Sequence, residues 1–251
     1  MIQSIKVIKD GTTTITEYII GADIFKTISS PSCISYFKND RLHNETGPAS
    51  KILLGNNAGT ESYYINGILH RVGGPALIEV RSYDVIPSLY TMVYKKEVYY
   101  EGGKMHRLDG PAYTYIHENV SNPSLAKTPH YDKAISISST PRPMPLFKES
   151  TYKWYRRGSL HRVDGPAVIQ NDSWRQTLGY YKSGVRHRID GPALIKRGYN
   201  NKLEVFWSKS GKTFKDKFEW LHSLTPAQRI AMLTAEVFFE DPDISFKNEA
   251  I

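Results

Sequence analysis

The chain has 251 residues, enough to bury a core without staples, and its 40% apolar and 23% charged residues exclude a disordered polypeptide. Lys and Arg outnumber Asp and Glu by 33 to 25, a net charge of +8, and 17 Tyr within a 12% aromatic content favour strands over helices. Cys33 is the single cysteine, so no internal disulfide or CxxC pair exists; no signal-like or membrane-length apolar run occurs, and a soluble cytoplasmic protein without membrane contact is expected.

Residues 1–35 read as an N-terminal β cap. Thr12-Thr13-Thr14-Ile15-Thr16-Glu17-Tyr18 is rich in β-branched residues, and a strand pair there is expected to cover one edge of the sheet that follows.

From residue 36 to 211 one short motif returns. Tyr63-Tyr64, Asn66-Gly67, His70-Arg71 and Gly74-Pro75-Ala76 recur as Tyr99-Tyr100, Gly103, His106-Arg107 and Asp109-Gly110-Pro111-Ala112. Two further copies are Trp154-Tyr155, Gly158, His161-Arg162, Asp164-Gly165-Pro166-Ala167 and Tyr180-Tyr181, Gly184, His187-Arg188, Asp190-Gly191-Pro192-Ala193. A decayed first copy holds Tyr36-Phe37, His43 and Gly47-Pro48-Ala49, and a partial sixth is Phe206-Trp207-Ser208-Lys209-Ser210-Gly211. The Gly-Pro-Ala elements are 27, 36, 55 and 26 residues apart, a basic period of 26 or 27 with insertions. In each copy the aromatic pair suits a pleated strand, and the glycine supplies the positive φ of a tight hairpin turn. The return strand carries Leu-His-Arg, and Asp-Gly-Pro then interrupts pairing because proline has no N–H to give. Such a unit cannot bury its aromatic face alone, so the predicted fold is mainly β: an elongated, twisted antiparallel sheet of stacked hairpins.

His117 to Ser150, with five prolines and many serines, reads as a long Pro/Ser-rich insertion whose Pro141-Arg142-Pro143-Met144-Pro145 favours extended polyproline geometry. Residues 212–251 change period and predict a helical cap and tail. Thr213 with Asp216 marks one helix start, with Phe214, Phe218 and Leu221 on a face; Thr225-Pro226 with Gln228 marks a second, with Ile230, Leu233 and Val237 aligned. Trp220, Phe238 and Phe239 are expected to pack on the last repeat.

The Tyr-Tyr-x-x-Gly-x-x-His-Arg-x-Asp-Gly-Pro-Ala pattern resembles the diverged MORN-like repeats of large phages and giant viruses, over residues 36–211. The shared features are the aromatic strand, the glycine turn and the return-strand histidine; Asp-Gly-Pro-Ala departs from the standard repeat. The resemblance implies a hairpin architecture, a scaffolding or partner-binding role, and a viral or phage source, with location in a host cytoplasm or a virion.

The residues that invite chemistry are read in that frame. His43, His70, His106, His161 and His187 occupy equivalent places, and a residue present in every copy suits a stacked architecture better than one asymmetric active site. Ser159, His161 and Asp164 hint at a triad, but the serine position is Ile68, Lys104 and Val185 in the other full copies. No catalytic, cofactor or metal residues are assigned. Asp109, Asp164 and Asp190 each follow an arginine by two positions, which suits repeated ion pairs. Charge is uneven: residues 151–217 hold 15 basic and 5 acidic residues, a net +10, interleaved with aromatics. Two readings follow: a non-enzymatic scaffold presenting a sheet face to a protein partner, or an RNA- or DNA-binding protein. In the second, Arg156, Arg157, Lys182, Arg186, Lys196 and Arg197 would contact phosphates, or an acidic partner in the first.

Overall fold

A computed structural model describes residues 2–55, 58–86, 90–121 and 147–230. The chain is mainly β, every described strand pairing is antiparallel, and it divides into two compact units, Met1–Ser159 with Gln170–Ser173 and Leu160–Ile169 with Trp174–Ile251.

Unit 1 opens with β1 (Ile2–Asp10), β2 (Thr13–Ile20) and β3 (Asp23–Ser30), joined by turns in which Gly11 and Gly21 take positive φ, so three strands precede the first copy rather than a pair. Its main sheet continues through β4 (Cys33–Lys38), β6 (Ser50–Gly55), β7 (Ala58–Ser62), β10 (Leu77–Ile86), β11 (Tyr90–Val98), β14 (Tyr113–Ser121) and β15 (Lys148–Lys153), each beside the next. Two-residue hairpins leave this sheet at one end of the strands: β8 (Tyr64–Ile65) with β9 (Ile68–Leu69), and β12 (Tyr100–Glu101) with β13 (Lys104–Met105). The first copy keeps its hairpin attached, β4 pairing with β5 (Arg41–Leu42). After β16 (Tyr155–Arg156), β17 (Ser159–Leu160) and β18 (Val168–Asn171), unit 2 follows the same plan, with β19 (Gln176–Gly179), β22 (Leu194–Arg197), β23 (Leu203–Lys209) and β24 (Lys212–Phe214) side by side, and the hairpin of β20 (Tyr181–Lys182) with β21 (Val185–Arg186) leaving it.

β2 is half-buried on both faces, with seven of eight positions intermediate, whereas β1 is exposed throughout. Full burial is concentrated where the hairpins leave. The alanine of each Gly-Pro-Ala element, Ala49, Ala76, Ala112, Ala167 and Ala193, has no exposed surface, and the Ala76 N–H donates to the carbonyl of buried Val98.

The structure moves two sequence boundaries. β14 runs to Ser121 and β15 begins at Lys148, with His117 opposite Glu149, so the ends of the predicted 117–150 insertion are paired strand. Pro141–Pro145 lies outside the described residues. The 36-residue step is strand extension, since β10 and β11 have ten and nine residues. At the C-terminus Thr213 belongs to β24, and the helix start is Asp216, whose carboxylate accepts the Glu219 N–H at 2.9 Å while Glu219 accepts from the Lys215 N–H. Helix Lys217–Ser223 follows, so Phe214 is strand and Phe218 is exposed, and the predicted Phe214–Phe218–Leu221 face does not form. The second helix opens at Pro226, with Thr225 and Gln228 exchanging side-chain and backbone hydrogen bonds. Leu233, Val237, Phe238 and Phe239 lie outside the described residues.

Candidate binding surface: the histidine ladder and its loop tips

Both central residues of each hairpin turn are left-handed, as type I′ turns require: Asn66 and Gly67 at φ 51° and 80°, Ser183 and Gly184 at 51° and 85°. In the third full copy the first turn residue is Arg157, at φ 52°, where only glycine and a few polar residues sit without strain. Each turn is held by the copy before it. The backbone N–H groups of Asn66, Gly102, Arg157, Ser183 and Ser210 donate to Nδ1 of His43, His70, His106, His161 and His187, at 3.0 to 3.2 Å. The next N–H, of Gly67, Gly103, Gly158, Gly184 and Gly211, reaches the carbonyl of the residue preceding that histidine. An accepting Nδ1 means a neutral ring with its proton on Nε2. Burial, with Lys182 and Lys209 nearby, holds His187 below the ordinary imidazole pKa.

The arginine after the histidine is consumed within its copy. Arg71, Arg107 and Arg188 lie over the rings of Tyr63, Tyr99 and Tyr180, at 3.9, 4.2 and 3.8 Å, and donate to the carbonyls of Pro75, Pro111 and Pro192. Arg162 makes the same bond to Pro166. In the first copy Asn44 replaces arginine and still bonds the Pro48 carbonyl at 3.1 Å. The guanidinium explains the glycine: a Cβ on Gly74, Gly110, Gly165 or Gly191 would lie 2.9 to 3.0 Å from the Cζ of its own arginine. Asp109, Asp164 and Asp190 pair with Arg107, Arg162 and Arg188 at 2.9, 3.4 and 2.8 Å, and the guanidinium holds Asp109 below the usual carboxylate pKa.

His161 accepts from Ser183, and Asp164 faces Arg162, so Ser159, His161 and Asp164 are not aligned as a relay. Among the described residues no three His, Cys, Asp or Glu side chains gather closely enough to hold a metal ion, and no helix is long and apolar enough to cross a membrane.

One apolar position of the motif is exposed more than any other. The residue after the arginine is apolar in every full copy, and Val72, Leu108 and Val163 are 85%, 77% and 86% exposed. Within unit 1 the loops bearing Val72 and Leu108 border a groove of about 310 Å³ lined also by Tyr99, Tyr100, Glu101 and Arg107. Sequence reasoning passed over this position because it is variable in identity; its signal was an apolar residue kept inside a polar loop.

The six basic residues read from the sequence do not form one group. Arg156 and Arg157 belong to unit 1 and the others to unit 2. Lys182 and Arg186 sit on the hairpin β20–β21, whereas Lys196 and Arg197 are successive residues of β22 and so point to opposite faces of its sheet. Nor are all aromatics turned inward. Trp174 and Tyr199, in loops flanking β19 and β22, are 67% and 66% exposed with ring centroids 5.7 Å apart.

No protein-family model matches this chain, and no curated protein matches it.

Proposed function

We propose that this chain is a non-enzymatic binding scaffold, of MORN-like repeat type and of viral or phage origin, that acts in a host cytoplasm or virion by holding a protein partner. One observation carries the reading: the motif's histidines and arginines are engaged within the array, and Val72, Leu108 and Val163 are the most exposed apolar residues of the motif. Burying such apolar tips, which recur at one motif position in each unit, is the gain these loops offer a partner. The contact is therefore assigned to the loop tips rather than to the flat of the sheet. Affinity capture from the native source, with nuclease, should retain a protein on the parent chain and lose it on the Val72→Asp, Leu108→Asp, Val163→Asp variant. An identical set of captured proteins on both would refute the assignment.

A second reading is favoured by the exposed Trp174–Tyr199 pair. Arg175, Lys196, Arg197 and Lys202 lie near the pair in sequence, and an aromatic pair beside cations suits stacking on single-stranded bases with phosphate contact. Anisotropy titrations against single-stranded RNA, single-stranded DNA and duplex at two salt concentrations test it. Four phosphate contacts on a single strand give a log–log salt slope near −3, and Trp174→Ala should then remove most of the affinity. Absence of binding at physiological salt eliminates this reading.

A further inference from the structure

Each unit leaves one strand edge open. In unit 1, β1 pairs only with β2 among the described residues. In unit 2, β24 runs beside β23 only from Trp207 to Lys209, so Leu203 to Phe206 have β22 on one side and no described strand on the other. The pairings fix which backbone groups these edges present. Asp10 and Thr13 close the two-residue turn at Gly11, and from that pair alternate residues of β1 direct their N–H and C=O to β2, which turns those of Ile5 and Val7 outward. In β23 the carbonyls of Phe206 and Lys202 accept from Ala193 and Gly198, so the groups of Val205 and Leu203 are the outward ones. All four side chains are exposed.

The two edges match in one antiparallel register, with Ile5 opposite Val205 and Val7 opposite Leu203. Outward N–H and C=O groups then meet at both pairs, and Lys6 falls opposite Glu204. Charges alternate across that joint, since Lys6 faces Glu17 in β2 and Glu204 faces Lys196 in β22. On the other face the joint makes an apolar row, with Tyr18 beside Ile5 and Ile195 beside Val205. Sliding by two residues sets Lys6 against Lys202 or Phe206, and joining like edges about their centres sets Lys6 against Lys6 or Glu204 against Glu204.

We propose that β1 of one copy of this chain adds to β23 of a second copy, so that the antiparallel sheet runs on from one molecule into the next. The contact is heterologous, and each added copy keeps an edge for another. Phe214, opposite Trp207, occupies the lane that Gln3 would take, so the joint is confined to Ser4–Ile8 and forms at high protein concentration. Lys202, 3.5 Å from Glu204, is exposed and gives up that carboxylate at little cost. No loop-tip residue takes part, so the joint is independent of the scaffold reading.

Sedimentation of the full chain over a wide concentration range should show association at the upper end, weakened roughly tenfold or more by Lys6→Glu or Glu204→Lys. Both positions are exposed, but each also faces a charge within its own chain, so a second measurement fixes the register. In a Cys33→Ser background, chains with Lys6→Cys and chains with Glu204→Cys, mixed under oxidation, should cross-link to each other. Val205→Cys, on the other face, should not replace Glu204→Cys. A parent that is monomeric at every concentration overturns the joint. So do association that neither reversal weakens and cross-links that form equally well at 204 and 205.

Discussion

Glycine at the Asp-Gly-Pro-Ala bend is set by its arginine rather than by backbone handedness. Gly110 has no left-handed φ, and a Cβ there would meet the Arg107 guanidinium, already engaged by the Tyr99 ring, the Pro111 carbonyl and Asp109. Gly110→Ala should therefore cost about 1–2 kcal/mol, the sum of a displaced cation–π contact and a lost hydrogen bond. In an Arg107→Ala background the same substitution should cost little. Urea titrations of the four chains measure the coupling, and additive losses would show that guanidinium and glycine do not share that space. The alanine that follows has no such alternative, because it is fully buried in all five copies.

A hairpin here is two residues per strand, far too little to stand alone, and its stability comes from the turn's two N–H bonds to the copy before. The hairpins were legible because Asn66-Gly67 and Ser183-Gly184 are strong turn pairs between aromatic and apolar residues. Their mode of association was not, since the partner of each turn is a histidine 22 to 51 residues away. The early boundary at residue 117 has a local cause: prolines and serines drew the eye, while the alternation through Tyr113, Tyr115 and His117 was continuing a strand. The misplaced helix start has another. Phe214 and Phe218 have true helical spacing, but position 214 was already claimed by the hairpin's return strand. The ladder also predicts a response to acid. His187 must be neutral to accept from Ser210, and its pKa is depressed in the fold, so above pH 6.5 its contribution is complete. As pH falls below that value the unfolded chain takes up the proton first, and stability declines until the folded ring protonates as well. His187→Asn keeps an acceptor near Nδ1 without titrating. Its melting temperature should fall less than the parent's between pH 8 and pH 5.5; equal falls would place the acid response elsewhere.

For the molecule as a whole, the first strand is the exposed flank. β1 pairs only with β2 among the described residues and displays Ile2, Ile5, Val7 and Ile8, the pattern of an edge that recruits other strands. Lys6 and Lys9 interrupt it with charge. Lys6→Ile with Lys9→Ile should shift the protein to dimers or larger species in sedimentation at concentrations where the parent does not associate; unchanged sedimentation would mean that the two lysines are not what guards this edge. The succession of copies is governed by something subtler. Each repeat histidine reaches forward to the next turn, and each turn after the first copy's leans back on the previous histidine, so the junction between copies carries a direction, like links that hook one way. A new copy can in principle be spliced between any two without altering either neighbour's half of the joint. Phe214, at the place of the next histidine, has no acceptor to offer, and the hooking ends there.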